Sequence, residues 1–326
     1  MRVFVVGASG AIGTRLVPQL IERGHDVIGT YRSPVKAELL RELGAEPVGL
    51  DALDAAAVRQ AVVDAKPDAI VHEATDLSNL SDFKHFDRSF AETNRLRTEG
   101  TDNLLAAAQI AGVTRFVVQS FATARYARVG GPVKTEDDPL DPEPVPAMHE
   151  TEAAMEYLDR VVTDAGGITL RYGGFYGAAE DALVDAVRAR KFPIVGGGNG
   201  VWSFVHLEDA ASATVLALDH EGPEIFNVVD DEPAPMRVWL PFLAEVLGAK
   251  PPWRVPRWLA RPLAGEAAVM MATESRGASN EKAKRELGWT LRYPSWREGF
   301  VAAYGSRARA REQAARPTAR THHSPT

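Results

Sequence analysis

The sequence predicts an α/β fold: a doubly wound parallel sheet, a smaller C-terminal substrate lobe and a disordered C-terminal tail. Three observations predict it. Short apolar runs alternate strictly with amphipathic stretches through the first half of the chain, the pattern of strand–helix–strand units. A glycine-rich turn, Gly7-Ala8-Ser9-Gly10-Ala11-Ile12-Gly13, joins the first apolar run to the first amphipathic stretch. Beyond about residue 172 the alternation becomes irregular, so the second half is no repeat of the first.

Val3 to Val6 is a buried-strand run. Ala11 to Arg23 has helical spacing through Leu16, Leu20 and Ile21, and Gly24 supplies a left-handed stop. Pro18 removes one internal hydrogen bond from that helix without ending it. Val27 to Tyr31 is the second strand, Pro34 to Leu43 a short helix, and Pro47 to Leu50 the third strand. Asp54 is placed to cap a helix running to about Ala65. Ala69 to His72 is the fourth strand, Phe90 to Ala111 one long helix, Arg115 to Gln119 the fifth strand and Ile168 to Arg171 the sixth. Further on, Gly196-Gly197-Gly198-Asn199-Gly200 marks a turn. Helices are expected over Glu208 to His220 and Met236 to Leu247, a strand over Ile225 to Val229, and a helical pair from Asn280 to Tyr304. Ser306 to Thr326 carries five arginines against Glu312 and almost no large apolar side chain, so it is expected to stay disordered.

Composition narrows the function. The 326 residues are 45% hydrophobic and 25% charged, as in an ordinary globular protein. The absence of cysteine excludes disulfides, thiolate metal sites and a cysteine nucleophile. A net charge of -7 argues against nucleic acid as a partner. No run approaches the roughly 18 apolar residues of a membrane span. The expected setting is cytoplasmic, with a small-molecule substrate, no nucleic acid and no membrane. Exposed helices leave room for a two-fold homodimer. The histidines are scattered without ligand spacing, so no metal is expected.

The glycine turn carries the first chemistry. Gly7 lets the chain leave the strand sharply, Gly10 removes a Cβ from the path of a pyrophosphate, and Gly13 lets the helix pack close to the sheet. Ser9, Ala11 and Ile12 then offer main-chain N–H groups at a helix N-terminus, which attracts phosphate. The second strand ends in Thr30-Tyr31-Arg32-Ser33, with no acid to hold a ribose 2′-hydroxyl. Arg32 and Ser33 suit a 2′-phosphate, so NADP is expected over NAD. Asp51 is placed to meet an adenine edge.

With these motifs the chain resembles the extended short-chain dehydrogenase/reductase family, the NAD-dependent epimerase/dehydratase group. The likeness runs from Met1 to about Phe300. Besides the glycine motif it includes His72-Glu73-Ala74-Thr75, Gly100-Thr101-Asp102-Asn103-Leu104-Leu105, Leu170-Arg171-Tyr172-Gly173-Gly174-Phe175-Tyr176-Gly177, Phe204-Val205-His206-Leu207-Glu208-Asp209-Ala210 and a C-terminal signature around Leu287-Gly288-Trp289. The resemblance implies a Rossmann-type NAD(P)-binding domain over 1–305, with the substrate lobe drawn mainly from 172–305 and the tail over 306–326. It implies that Glu73, Ala74, Thr75, Tyr172 and Gly173 lie beside the cofactor.

The family's catalytic pattern is a Ser or Thr after the fifth strand and a Tyr-x-x-x-Lys on the next helix. This chain departs from it. Alignment puts Met148 at the tyrosine position and Glu152 at the lysine position, and no Tyr-x-x-x-Lys occurs elsewhere. Ser120 matches the family's serine, with Thr123 a near alternative. Tyr126 and His149 are the two candidates for proton donor. Arg97 stands where the family commonly has an asparagine; it suits an anionic substrate or Glu73, and Asn94 lies one turn earlier.

Three functions follow. The first is an NAD(P)-dependent oxidoreductase or epimerase/dehydratase-like enzyme for a small polar carbonyl or alcohol. The second is an NADP(H)-binding sensor without turnover. The third is a non-redox isomerase or cyclase on the same scaffold.

Overall fold

The computed structural model describes residues 1–76, 83–178 and 181–315, with side chains described through residue 305. Seven strands form the main sheet: β1 (Arg2–Val6), β2 (Asp26–Tyr31), β3 (Glu46–Gly49), β4 (Ala69–His72), β5 (Arg115–Phe121), β6 (Ile168–Tyr172) and β7 (Glu224–Val228). All pair in parallel, in the order β3-β2-β1-β4-β5-β6-β7. Strand order therefore reverses between β1 and β4, and a crevice opens at the carboxyl ends there.

The helices are α1 (Gly13–Glu22), α2 (Lys36–Glu42), α3 (Ala55–Ala65), α4 (Phe86–Arg95), α5 (Thr101–Ala111), α6 (His149–Asp164), α7 (Ala182–Arg188), α8 (Leu207–Ala217), α9 (Met236–Val246), α10 (Arg257–Thr273), α11 (Glu281–Glu286) and α12 (Trp296–Ala315). They divide by the period-2 alternation of the strands. Val3 and Val5 of β1 pack with Leu16 and Leu20 of α1 and Ala211 of α8 on one face. Phe4 and Val6 pack with Val62 of α3, Leu104 of α5 and Leu158 of α6 on the other. Both faces are covered, which is why β1 reads as an unbroken apolar run.

A third cluster builds the C-terminal lobe. Trp202, Phe204, Trp239, Trp296 and Phe300 are buried there against one another. Ring centroids of Trp202 and Trp239 lie 5.0 Å apart, within the range where aromatic pairing adds to area burial.

Several expectations change. The long helix expected from Phe90 to Ala111 is α4 and α5 joined by a π-helical turn over Leu96–Gly100. The wider turn leaves the Leu96 carbonyl within 3.2 Å of His72 Nε2. The strand expected at Ile225–Val229 is β7, which belongs to the main sheet rather than to the lobe. The chain expected to be disordered from Ser306 continues α12 through Ala315; residues 316–326 of that segment lie outside the described residues. No helix among the described residues is long and apolar enough to cross a membrane.

The turn after β1 is tightly packed at one glycine and open at another. A Cβ on Gly13 would lie 2.4 Å from the Ala8 carbonyl oxygen, whereas one on Gly10 would have only the Gly7 carbonyl at 3.1 Å. Gly13→Ala should therefore lower unfolding free energy by roughly 1–3 kcal/mol, the scale of an overpacked core. Gly10→Ala should cost clearly less. Denaturant titration of both variants checks the contrast.

Candidate cofactor and active site

The crevice between β1 and β4 is a cleft of about 200 Å³, open at its mouth. Its floor is the glycine turn. Gly7 has φ +88, and a Cβ there would lie 2.8 Å from the main chain of Glu73 and Ala74. Only glycine allows β1 and β4 to close this far at their ends. The turn delivers α1 with Ile12 at its N-cap and no side chain capping it. Ala11 and Ile12, at this end of the helix, line the cleft, where the helix dipole places partial positive charge. An uncapped helix N-terminus beside a glycine turn fits the diphosphate of a dinucleotide.

Gly7, Ser9, Gly10, Ala11 and Ile12 line the cleft, as do Arg32 at one end and Glu73, Ala74 and Thr75 along the β4 side. Gly13 lies beneath, against Ala8. Arg32 is half exposed and 3.3 Å from Asp76 Oδ2. Four expected cofactor residues are placed elsewhere. Ser33 is exposed on the turn after β2 and not among the lining residues. Asp51 accepts the Leu53 N–H at 3.0 Å, and its neighbours Leu50 and Ala52 line the cleft instead. Tyr172 is fully buried, its hydroxyl 3.1 Å from Glu73 Oε1 and 2.6 Å from Thr214 Oγ1. Gly173 is packed under the Ser203 main chain.

The cleft also contains residues the sequence did not single out: Thr30, Tyr31, Leu96, Gln119 and Phe175. Gln119 directly precedes Ser120, and its Nε2 donates to the Glu73 carbonyl at 3.2 Å. Phe175 lies in the quoted Leu170–Gly177 segment. Leu96 arrives through the π-helical turn, for which the sequence holds no periodic signal.

The candidate catalytic residues do not converge. Tyr126 is 1% exposed; its hydroxyl donates to Asn227 Oδ1 at 2.6 Å and accepts from Arg171 at 3.3 Å. Burial raises its pKa above the ordinary phenol value. It is a packing residue with satisfied polar contacts, which corrects its assignment as a cleft proton donor. His149 is exposed at the start of α6, with Nε2 2.7 Å from the Pro144 carbonyl, so it too faces away from the cleft. Ser120 is buried, and its Oγ accepts from Arg125 at 3.2 Å, leaving its own proton free to donate. Thr123 is buried, and its Oγ1 has no partner among the described residues.

An ion cluster surrounds Glu152 of α6. Arg125, wholly buried, lies 2.9 Å from Asp159 Oδ2 and 3.5 Å from Glu152 Oε2. Arg171 reaches the same Asp159 oxygen at 2.7 Å. Burial opposes ionisation of Asp159, but Arg125 and Arg171 overcome it and hold its pKa below the usual value. Glu152 is only partly compensated: burial pushes it up to about 7, against the pull of Arg125 and Arg97. Arg97 is buried, donates to Asn94 at 3.2 Å, and is lowered to about 10 by burial and by Arg125. Asn94 in turn donates to Thr151 on α6 at 3.0 Å.

Away from the cleft, His220, Glu224 and Glu286 bring ligand-type atoms within 4.8 Å of one another, a grouping the sequence did not signal. Glu224 is already paired with Lys282.

A seven-stranded parallel sheet with a glycine turn at its crossover defines a dinucleotide-binding enzyme scaffold. Residues 3–228 match the NAD dependent epimerase/dehydratase family, and the chain belongs to that family. It is an enzyme family of NAD-dependent oxidoreductases and epimerases. The chain is 43% identical over 308 residues to a 3-diazoavenalumate denitrifying reductase of a Streptomyces species, covering 92% of this chain and 99% of that one. It is 29% identical over 325 residues to a 4-hydroxy-2-methyl-3-oxo-4-farnesyl-3,4-dihydroquinoline-1-oxide ketoreductase of Stigmatella aurantiaca, covering 90% and 92%. The fold is similar to the Thermus thermophilus UDP-glucose 4-epimerase solved with NAD, at TM-score 0.72 and 26% identity, covering 95% of this chain and 99% of that one.

Glu152 generates a pH prediction. In the folded protein the Glu152 carboxyl keeps its proton up to about pH 7, while in the unfolded chain it releases it near 4.5. Between those values unfolding releases a proton, so this group lowers stability as pH rises, on the order of 1–3 kcal/mol across the window. Glu152→Gln cannot release that proton. Its stability relative to the parent should therefore improve between pH 5 and pH 7. Urea unfolding at both pH values measures the difference.

Proposed function

We propose that the chain is an NADP(H)-dependent reductase whose substrate needs no proton from a tyrosine–lysine pair, the class being small aromatic diazo compounds. The carrying observation is at the start of α6. Met148, its N-cap, has no titratable proton, and Glu152, raised to about 7 by burial, supplies no cation that would acidify a phenol. The phenol and imidazole that stand nearby in sequence are turned to other partners. A carbonyl or alcohol substrate requires a proton to move at oxygen as hydride moves at carbon. A diazonium group does not: the aryl carbon takes up hydride, the carbon–nitrogen bond breaks, and dinitrogen leaves with the bonding pair. Bound in the cleft, a reduced nicotinamide would supply that hydride. The relative named as a denitrifying reductase supports this substrate class.

The residues divide the work along the cleft. The glycine turn and the α1 N-terminus take the diphosphate. Arg32 takes a 2′-phosphate, exchanging its contact with Asp76 for a doubly charged partner.

Carbonyl reduction is the second reading. The unpartnered Thr123 hydroxyl favours it, together with the relative named as a ketoreductase.

Cofactor oxidation should be followed with 3-diazoavenalumate, with a simple aryl diazonium salt and with aryl ketones. Loss of nitrogen with stoichiometric NADPH consumption, and no turnover of the ketones, is the expected result. Turnover confined to ketones would overturn the diazo reading in favour of the second.

Cofactor choice is tested separately. Arg32→Asp should weaken NADPH by roughly 1.5–3 kcal/mol, the scale of a hydrogen bond to a charged group, and leave NADH nearly unchanged. Equal losses for both cofactors in a fluorescence titration would remove Arg32 from the 2′-phosphate site.

A further inference from the structure

The quoted segment after β4 places a carboxylic acid in the wall of the cofactor cleft. Glu73 directly follows β4, and its main chain lies against Gly7 of the glycine turn. It lines the cleft, yet the residue is only 6% exposed. The groups facing its carboxyl are neutral. Tyr172 of β6 meets Oε1, and Thr214 of α8 meets the Tyr172 hydroxyl. His72, its neighbour, is fully buried and lowered to about 4, so it carries no charge near neutral pH. Gln119 of β5 contacts only the Glu73 carbonyl. Among the described residues no cation acts on the Glu73 carboxyl.

Oε2 is buried and has no partner among the described residues. Oε2 is thus a buried polar atom without a partner, a state a ligand can relieve. The glycine turn next to it is the part of the cleft that fits a diphosphate. An ionised Glu73 would set an unpaired carboxylate beside those phosphates, in surroundings too dry to screen it.

We propose that Glu73 is a cofactor-binding residue that works as a neutral acid, and that the cleft holds its dinucleotide only while Glu73 keeps its proton. This rests on the reading of the cleft as a dinucleotide site. Burial raises the pKa of Glu73 to about 8, so the free protein is in the binding form at neutral pH and leaves it in mild alkali. Binding is then linked to proton uptake: above about pH 8 each dinucleotide bound draws in one proton.

The test is equilibrium binding of NADH, which has no 2′-phosphate to titrate, from pH 6.5 to 9.5. Wild type should hold its affinity to about pH 7.5 and lose roughly tenfold per pH unit above pH 8. Glu73→Gln keeps a neutral donor, so its affinity should stay within about threefold across the range. Calorimetry of wild type at pH 8.5, in two buffers of different ionisation enthalpy, should show uptake of about one proton per NADH bound. That measurement decides the matter if the variant does not fold. A flat wild-type profile without proton uptake overturns the proposal, and so does an equal alkaline loss in Glu73→Gln. Absence of NADH and NADPH binding at every pH would overturn the dinucleotide reading itself, whereas binding indifferent to pH overturns only the role of Glu73.

Discussion

The close approach of Gly7 to the chain at Glu73 and Ala74 governs the site. At 2.8 Å from a would-be Cβ, the two segments are nearer than any side chain at position 7 permits. This contact sets β1 and β4 side by side at their carboxyl ends and aims α1 into the crevice. It also places Glu73 between the turn and the Tyr172 layer, where water does not reach its carboxyl. The phosphate cradle and the buried acid are therefore two consequences of one packing constraint.

The sheet was legible because its causes are local. Strands buried on both faces leave continuous apolar runs, and the helices between them leave a 3.6-residue period. The Gly7–Gly13 turn is readable for the same reason, since its three glycines serve geometry within a few residues. β7 was harder to place, because whether a strand joins one sheet or another depends on a partner far away in sequence. Its register with β6, Asn227 opposite Arg171, has no local signature.

Polar residues were the least legible, and for a physical reason. A buried, satisfied side chain and an exposed one have the same letter. Tyr126 reads as a cleft phenol until its hydroxyl is seen on Asn227 and Arg171. Arg125, Asp159 and Arg171 are scattered through the chain, yet they share one buried oxygen, Asp159 Oδ2. Breaking such a cluster leaves a charge without compensation, a change of about 3–5 kcal/mol, so its members are tied to folding before any chemistry. The turn of Glu152 toward Arg125 inside this cluster has no local signature either.

The two buried glutamates show how charge is distributed. Glu152 has arginines beside it and is raised to about 7; Glu73 has none and is raised to about 8. Burial dominates in both, and the difference follows the cations. Along the cleft itself, among the described residues, positive charge appears at the Arg32 guanidinium and the α1 N-terminus. Both are where phosphate groups of a dinucleotide would lie. The stretch between them and the β5 end is formed by Ala74, Gln119, Leu96 and Phe175 together with a protonated Glu73. A cleft so arranged attracts the anionic part of its ligand and leaves the remainder in neutral, poorly hydrated surroundings. On the reductase reading proposed above, such surroundings would suit an electrophile that brings its own positive charge, because among the described lining residues no cation stands in that stretch.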